Sequence, residues 1–133
     1  MKMEANLPTG EEATQPKDYR DLIVWKKGMS LAKQIYQITQ AFPDVERFGL
    51  ISQMRRAAVS VPSNIAEGQS RNTTGEFVQF LSHALGSVSE LHTQLLLSVE
   101  LGFCSRTDSE PARAVIVELR KMLTALRKRL SEG

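Results

Sequence analysis

From Tyr19 to Leu130 the apolar residues of this chain recur at intervals of three and four, in four stretches divided by short breaks rich in Pro, Gly and capping residues. That spacing marks one face of a 3.6-residue helix; neither the alternation of a half-buried strand nor a continuous membrane-spanning run produces it. In the first stretch Leu22, Trp25, Met29, Ala32, Tyr36 and Thr39 form one row, and Val24, Gly28, Leu31, Ile35, Ile38 and Phe42 a second. Together the rows cover about half of the helix circumference, more than a single bundle core requires. This helix is therefore expected to meet a second surface. Pro43 stops it.

The second helix is expected to start between Asp44 and Phe48 and to carry Leu50, Met54, Ala58, Val61 and Ile65 inward. Gly68 suits a left-handed C-terminal turn at its end. Thr73-Thr74-Gly75-Glu76 reads as a capping box that opens a third helix. Phe77, Leu81, Ala84, Val88, Leu91, Leu95 and Val99 share one face of it, and Gly102 ends it. Thr107 to Glu110 offers a further capping box, with Pro111 tolerable in the first turn. Val115, Leu119, Met122, Leu126 and Leu130 then line a fourth helix. Short links between four such helices predict an all-α, antiparallel up-down four-helix bundle over residues 19–131. The apolar arcs of helices one and three exceed what one core covers, which predicts a closed cyclic homo-oligomer. Residues 1–18 are polar and without period, and are expected to form a disordered tail.

Composition sets limits on function. A length of 133 residues fits one domain. The lone Cys104 cannot form an internal disulfide, and no apolar signal segment heads the chain, so a cytoplasmic setting is expected. The net charge is +2; Lys2 and Lys17 against Glu4, Glu11, Glu12 and Asp18 leave +4 for the remainder. That balance is mild for a nucleic-acid binder. There is no Gly-rich phosphate loop and no internal repeat of solenoid period.

Chemistry-bearing residues are few. His83 and His92 stand nine apart, on different turns, so they cannot share a metal as residues three or four apart do. No Glu-x-x-His pair of the di-iron bundle type occurs. His92, within the apolar face of helix three, reads as a hydrogen-bonded histidine at a helix interface. Cys104, in a turn near Arg106, reads as a plain small residue. Asn72-Thr73-Thr74 is a glycosylation sequon without the compartment that would use it. Neither catalysis, a metal nor a cofactor is expected.

Basic residues form the other pattern. Arg113, Arg120 and Arg127 sit seven apart on helix four with Lys121 and Lys128 beside them, and Lys26 and Lys33 occupy the polar face of helix one. The arginine row reads as opposite the apolar row, facing solvent. A solvated face whose cations favour the helix dipole accounts for it simply. The functional alternative is a stripe that neutralises phosphates, with affinity falling steeply as salt rises.

The segment "QMRRAAVSVPSNIAEGQSR", residues 53–71, places Gln53, Arg56, Ser60, Ser63, Asn64, Glu67 and Arg71 in a polar row beside the apolar one. Pro62 deletes a backbone hydrogen bond and crowds the Ala58 carbonyl, so a kink near Val61 is expected, at a cost of about 3 kcal/mol unless neighbours restore it. Ser60, Ser63 and Asn64 can bond the freed backbone groups. Arg55 or Arg56 is expected to form a buried or interfacial ion pair with Glu67. Arg55, Arg56, Ser60, Pro62, Asn64 and Glu67 thus read as a structural device.

"YRDLIVWKKGMSLAKQIY", "FGLISQMRRAAVSVPSNIAEGQSR" and "EFVQFLSHALGSVSELHTQL" together resemble the four-helix-bundle family of ribosomal intervening-sequence proteins, which also includes accessory proteins of diversity-generating retroelements. "RRAAVSVPSNIAEG" is the most specific part of a match running from Tyr19 to Leu130. The resemblance implies an antiparallel four-helix protomer, a homopentamer and no catalytic role; for retroelement members it implies a reverse transcriptase and nucleic acid as partners. The expectation is a non-enzymatic oligomeric adaptor that touches RNA, a ribonucleoprotein or a reverse transcriptase through a basic helix face. The alternative is a protein-interaction scaffold that touches no nucleic acid.

Overall fold

The computed structural model describes residues 18–132, of which Asp18 is the first. Its side chain accepts the Arg20 N–H at 2.8 Å and caps a single 3-10 turn over Tyr19–Asp21. Asp18 therefore belongs to the folded part; the rest of the expected tail lies outside the described residues. Helix α1 runs over Ile23–Thr39, a 3-10 turn over Asp44–Glu46 follows Pro43, and α2 spans Leu50–Gln69. Helices α3 (Thr74–Glu100) and α4 (Arg106–Glu132) complete the set. Each helix packs on the next, α4 closes back on α1, and the diagonal pairs stay apart. This ring of contacts is that of an up-down bundle.

Local chemistry explains most of the boundaries. The Thr73 hydroxyl accepts the Glu76 N–H at 3.2 Å at the start of α3, which is the hydroxyl half of the expected capping box. Gly102, at φ +81°, takes the left-handed conformation that ends this helix. Three boundaries depart from expectation. Helix α2 starts at Leu50, beyond the expected stretch from Asp44 to Phe48, because Asp44–Glu46 closes a 3-10 turn of its own before Gly49. Helix α4 starts one register earlier: Ser105, not Thr107, is the cap, its hydroxyl accepting the Asp108 N–H at 2.9 Å. Pro111 consequently falls in the second turn. Gly68 is helical and buried rather than left-handed, and it takes part in the turn after α2 only through its carbonyl, which accepts the Arg71 N–H at 3.1 Å. Its missing side chain serves packing instead, since a Cβ there would stand 2.6 Å from Phe80 Cβ and 3.0 Å from Phe77 Cδ1.

The core holds Val24, Leu31 and Ile35 of α1 with Phe42 just beyond it, Met54, Ala58, Val61 and Ile65 of the predicted α2 row, and Leu81, Ala84, Val88, Leu91 and Leu95 of α3, while Leu50 packs at its edge. Each Val, Leu, Ile, Phe or Met among them contributes about 1.5–3 kcal/mol on leaving water. On α4 the fully buried row is Ala112, Ile116, Leu119 and Leu123, while Val115, Met122, Leu126 and Leu130 pack at its edge. The first row of α1 is split: Trp25 and Ala32 are half-buried, and Met29 and Tyr36 are exposed. Pro62 lies inside an unbroken α2 and is buried against Gly28 of α1, where a Cβ would sit 3.4 Å from its ring. The two helices approach closely at that point because one partner lacks a side chain. No helix among the described residues is long and apolar enough to cross a membrane.

Candidate nucleic-acid interface

The arginine row of α4 is not on the helix's solvent side. With Ile116 and Leu123 included, the buried face of α4 turns to within about 70° of Arg113, Arg120 and Arg127 on a 100° wheel. All three arginines are accordingly half-buried and lie on the shoulder that faces α3. Arg127 Nη1 donates to Ser82 Oγ of α3 at 3.2 Å. Arg113 Nη2 stands 3.5 Å from Glu110 Oε2, one helical turn away. Lys121 and Lys128, further round the helix, are exposed and pair with no carboxylate among the described residues. Glu118 lies on the other shoulder, where Lys27 of α1 holds it at 3.1 Å. The face of α4 turned towards α3 and solvent thus keeps its positive charge, with Glu110 as the local counterweight.

His92 reports that charge. It lies in the groove between α3 and α4 with Leu96, Arg106, Glu110, Arg113 and Val117. Its pKa is lowered, first by burial and then by the nearby Arg120 and Arg113. No hydrogen-bond partner for its ring occurs among the described residues, so the expected hydrogen-bonded histidine is a half-buried one in a positive field. Arg106 joins this groove, and Ser82 meets Arg127 elsewhere along the α3–α4 contact, without either having been singled out as a site residue in sequence. Their contribution depends on how α3 and α4 are set side by side. Lys26 and Lys33 are exposed on α1. No contact brings them together with the α4 cations.

The polar segment of α2 divides into two contacts. Arg55 reaches α1: its Nε donates to Thr39 Oγ1 at 2.9 Å, its Nη2 to the Tyr36 carbonyl at 3.3 Å, and its guanidinium lies 4.5 Å from the Tyr36 ring centroid. Ser60 reaches α3, sharing a hydrogen bond of 2.8 Å with Ser87. Asn64 Nδ2 donates to both the carbonyl and the hydroxyl of Ser60, at 2.8 and 2.9 Å, beside Pro62. Ser63 is exposed. The expected Arg55 or Arg56 pair with Glu67 is not formed. Glu67 pairs with Arg71 at 2.8 Å, an exposed i,i+4 contact, and Arg56 is exposed. The reason is reach: Glu67 lies on the outer side of α2, three turns from Arg56, whereas Arg71 is one turn away.

His83 is exposed beside Phe80, with ring centroids 5.8 Å apart. The Cys104 thiol is pushed up in pKa by burial and by Asp108, the reverse of an activated nucleophile. Among the described residues no three His, Cys, Asp or Glu side chains cluster as a metal site would require.

A family model described as 23S rRNA-intervening sequence protein matches residues 20–125. The large ribosomal subunit protein uL6m of Neurospora crassa is 28% identical over 114 residues, which span 81% of this chain and 44% of that protein. The chain therefore spans less than half the length of that relative. A solved structure from Bacteroides thetaiotaomicron, of a protein with unknown function from the S23 ribosomal protein family, superposes with a TM-score of 0.72 at 23% identity. The superposition covers 80% of this chain and 99% of the other, and shows a shared fold.

Proposed function

The chain belongs to the 23S rRNA-intervening sequence protein family, and from that premise we propose that it is a non-enzymatic adaptor whose α4 face contacts the backbone of RNA, alone or within a ribonucleoprotein. The observation that supports this reading is the basic face of α4: Arg120 and Arg127 on the shoulder facing α3 and Lys121 and Lys128 exposed beside them pair with no carboxylate among the described residues, and only Arg113 is met by an acid, Glu110. Cations in such a row meet phosphates and position the protein without specifying a sequence. The match to a protein named for the large ribosomal subunit fits an RNA-associated role. A reverse transcriptase is the alternative partner that the family resemblance supplies. Outward-facing Met29, Leu96, Leu97 and Leu101 favour self-association of the adaptor into a closed homo-oligomer.

The test replaces Lys121 and Lys128 by Gln, both exposed, so that the fold is retained. In filter binding of RNA across a salt series, each lost phosphate contact lowers the log–log slope by about 0.7–0.9. The double variant should therefore lose a slope of roughly 1.4–1.8 while its sequence preference stays the same. Wild-type protein that binds no RNA even at low salt would leave the scaffold reading in place.

A further inference from the structure

Across the bundle from the α4 face, between α1 and α2, lies an open groove of about 680 Å³ whose lining includes Tyr36, Arg47, Phe48, Arg55, Arg56 and Val59, and no carboxylate. The nearest acid in sequence, Glu46, is engaged elsewhere, its Oε1 accepting the Leu50 N–H at 3.1 Å at the start of α2. Phe48 is 89% exposed. The Arg47 guanidinium lies 5.4 Å from its ring centroid, as Arg55 lies 4.5 Å from that of Tyr36. Three guanidinium groups, two aromatic rings and no anion therefore share one concave surface.

Each alternative occupant leaves part of this surface unused. A second copy docking the same patch against itself would bring like charges together. An acidic peptide would satisfy the arginines but meets Phe48 only where an aromatic residue happens to stand beside its acids, whereas every nucleotide carries a phosphate and a planar base together. A nucleic-acid duplex offers phosphates but hides its base faces. A single strand offers both, because unstacked bases lie on aromatic and guanidinium planes while the backbone follows the cations. We propose that the Arg47–Phe48–Arg56 groove is a binding site for single-stranded RNA, with a base stacked on the exposed Phe48 ring and phosphates held by Arg47 and Arg56. It shares its ligand class with the α4 reading but not its surface, so the two can fail separately.

The experiment measures fluorescence anisotropy of a labelled uridine oligomer of about 12 nucleotides, and of an RNA duplex of the same length, against the full chain at low salt. Phe48→Ala removes a solvent-exposed ring and should weaken single-strand binding about 5- to 150-fold while leaving duplex binding unchanged. The double change Arg47→Gln with Arg56→Gln should weaken it and flatten its salt dependence, and Lys121→Gln with Lys128→Gln should leave the effect of Phe48→Ala in place. Single-strand affinity unchanged by Phe48→Ala overturns this proposal and leaves the α4 reading standing. Loss of single-strand binding in the α4 variant alone has the same consequence. Two further results overturn it: polyglutamate binding as tightly as RNA and insensitive to Phe48→Ala, or a drop in oligomer size on sedimentation of that variant. Wild-type protein that binds neither RNA overturns both readings.

Discussion

Two glycines separate what a missing side chain does in this fold. Gly68 and Gly86 are both helical, but a Cβ at Gly68 would meet Phe80 at 2.6 Å, whereas at Gly86 nothing lies within 4 Å. Gly68→Ala should therefore overpack the α2–α3 contact at a cost of about 1–3 kcal/mol, more than alanine's helix preference returns. Gly86→Ala should instead stabilise by about 0.5–1 kcal/mol through backbone entropy alone. Thermal denaturation of the two variants should move Tm in opposite directions; equal shifts would refute the packing role of Gly68. Sequence displayed Gly68 as a glycine near a helix end, for which a left-handed turn is the usual use. Only the neighbouring Phe77 and Phe80, nine and twelve residues on, give it a different one. By the same logic the Glu67–Arg71 pair was closer to hand than the longer pairing expected of Arg55 or Arg56. Being exposed, it contributes a few tenths of a kcal/mol.

At the scale of elements, what was legible was local. Pro43 and Gly102 act through their own backbones and Thr73 through its own hydroxyl, and each lies at a helix boundary that its chemistry predicts. The rotation of α4 was not legible, because Val115, Met122 and Leu126 form an apolar row as plausible as the buried one. Ile116 and Leu123 tip the helix towards the arginines, and only the facing surfaces of α1 and α3 decide between the rows. Arg55 illustrates the same limit, since its partners Thr39 and Tyr36 lie on another helix. The α3–α4 groove makes a prediction of its own. His92 has a lowered pKa in the folded state, so its neutral form is the favoured one. As pH falls below the unfolded value of about 6.5 the unfolded chain takes up the proton first, and stability declines until the folded pKa has been passed. Above that window nothing is lost. Urea midpoints from pH 8 to 5 should fall less in His92→Gln than in wild type; parallel curves would place the acid sensitivity elsewhere.

For the whole molecule the open question is what covers its outer apolar side chains. Leu101 is 53% exposed and Ile23 61%, with Met29, Leu96 and Leu97 also outward. The helical periodicity of α1 and α3 already showed more apolar surface than a single core can use, and the fold leaves part of it outside. The proposed assembly predicts that sedimentation equilibrium at micromolar concentration gives a mass several-fold above the 14.9 kDa of one chain, five-fold by the family resemblance. A single species of one-chain mass would sink the assembly and return these residues to ordinary surface.

The closing of α4 upon α1 has a further consequence. Leu22 and Ile23, at the start of α1, line the same open cavity of about 720 Å³ as Leu126 and Leu130 near the end of α4. The two ends of the described fold therefore adjoin, and the order in which the chain visits its four helices is only one way round a closed circuit. Every close approach between helix backbones belongs to a pair of neighbours on that circuit, and one aromatic contact, Phe42 on Phe103 at 5.6 Å between centroids, ties the α1–α2 connection to the α3–α4 connection across it. A linker across the α4–α1 gap and new termini in the exposed link between α2 and α3 would give a permuted chain with the same neighbouring helices and the Phe42–Phe103 contact intact.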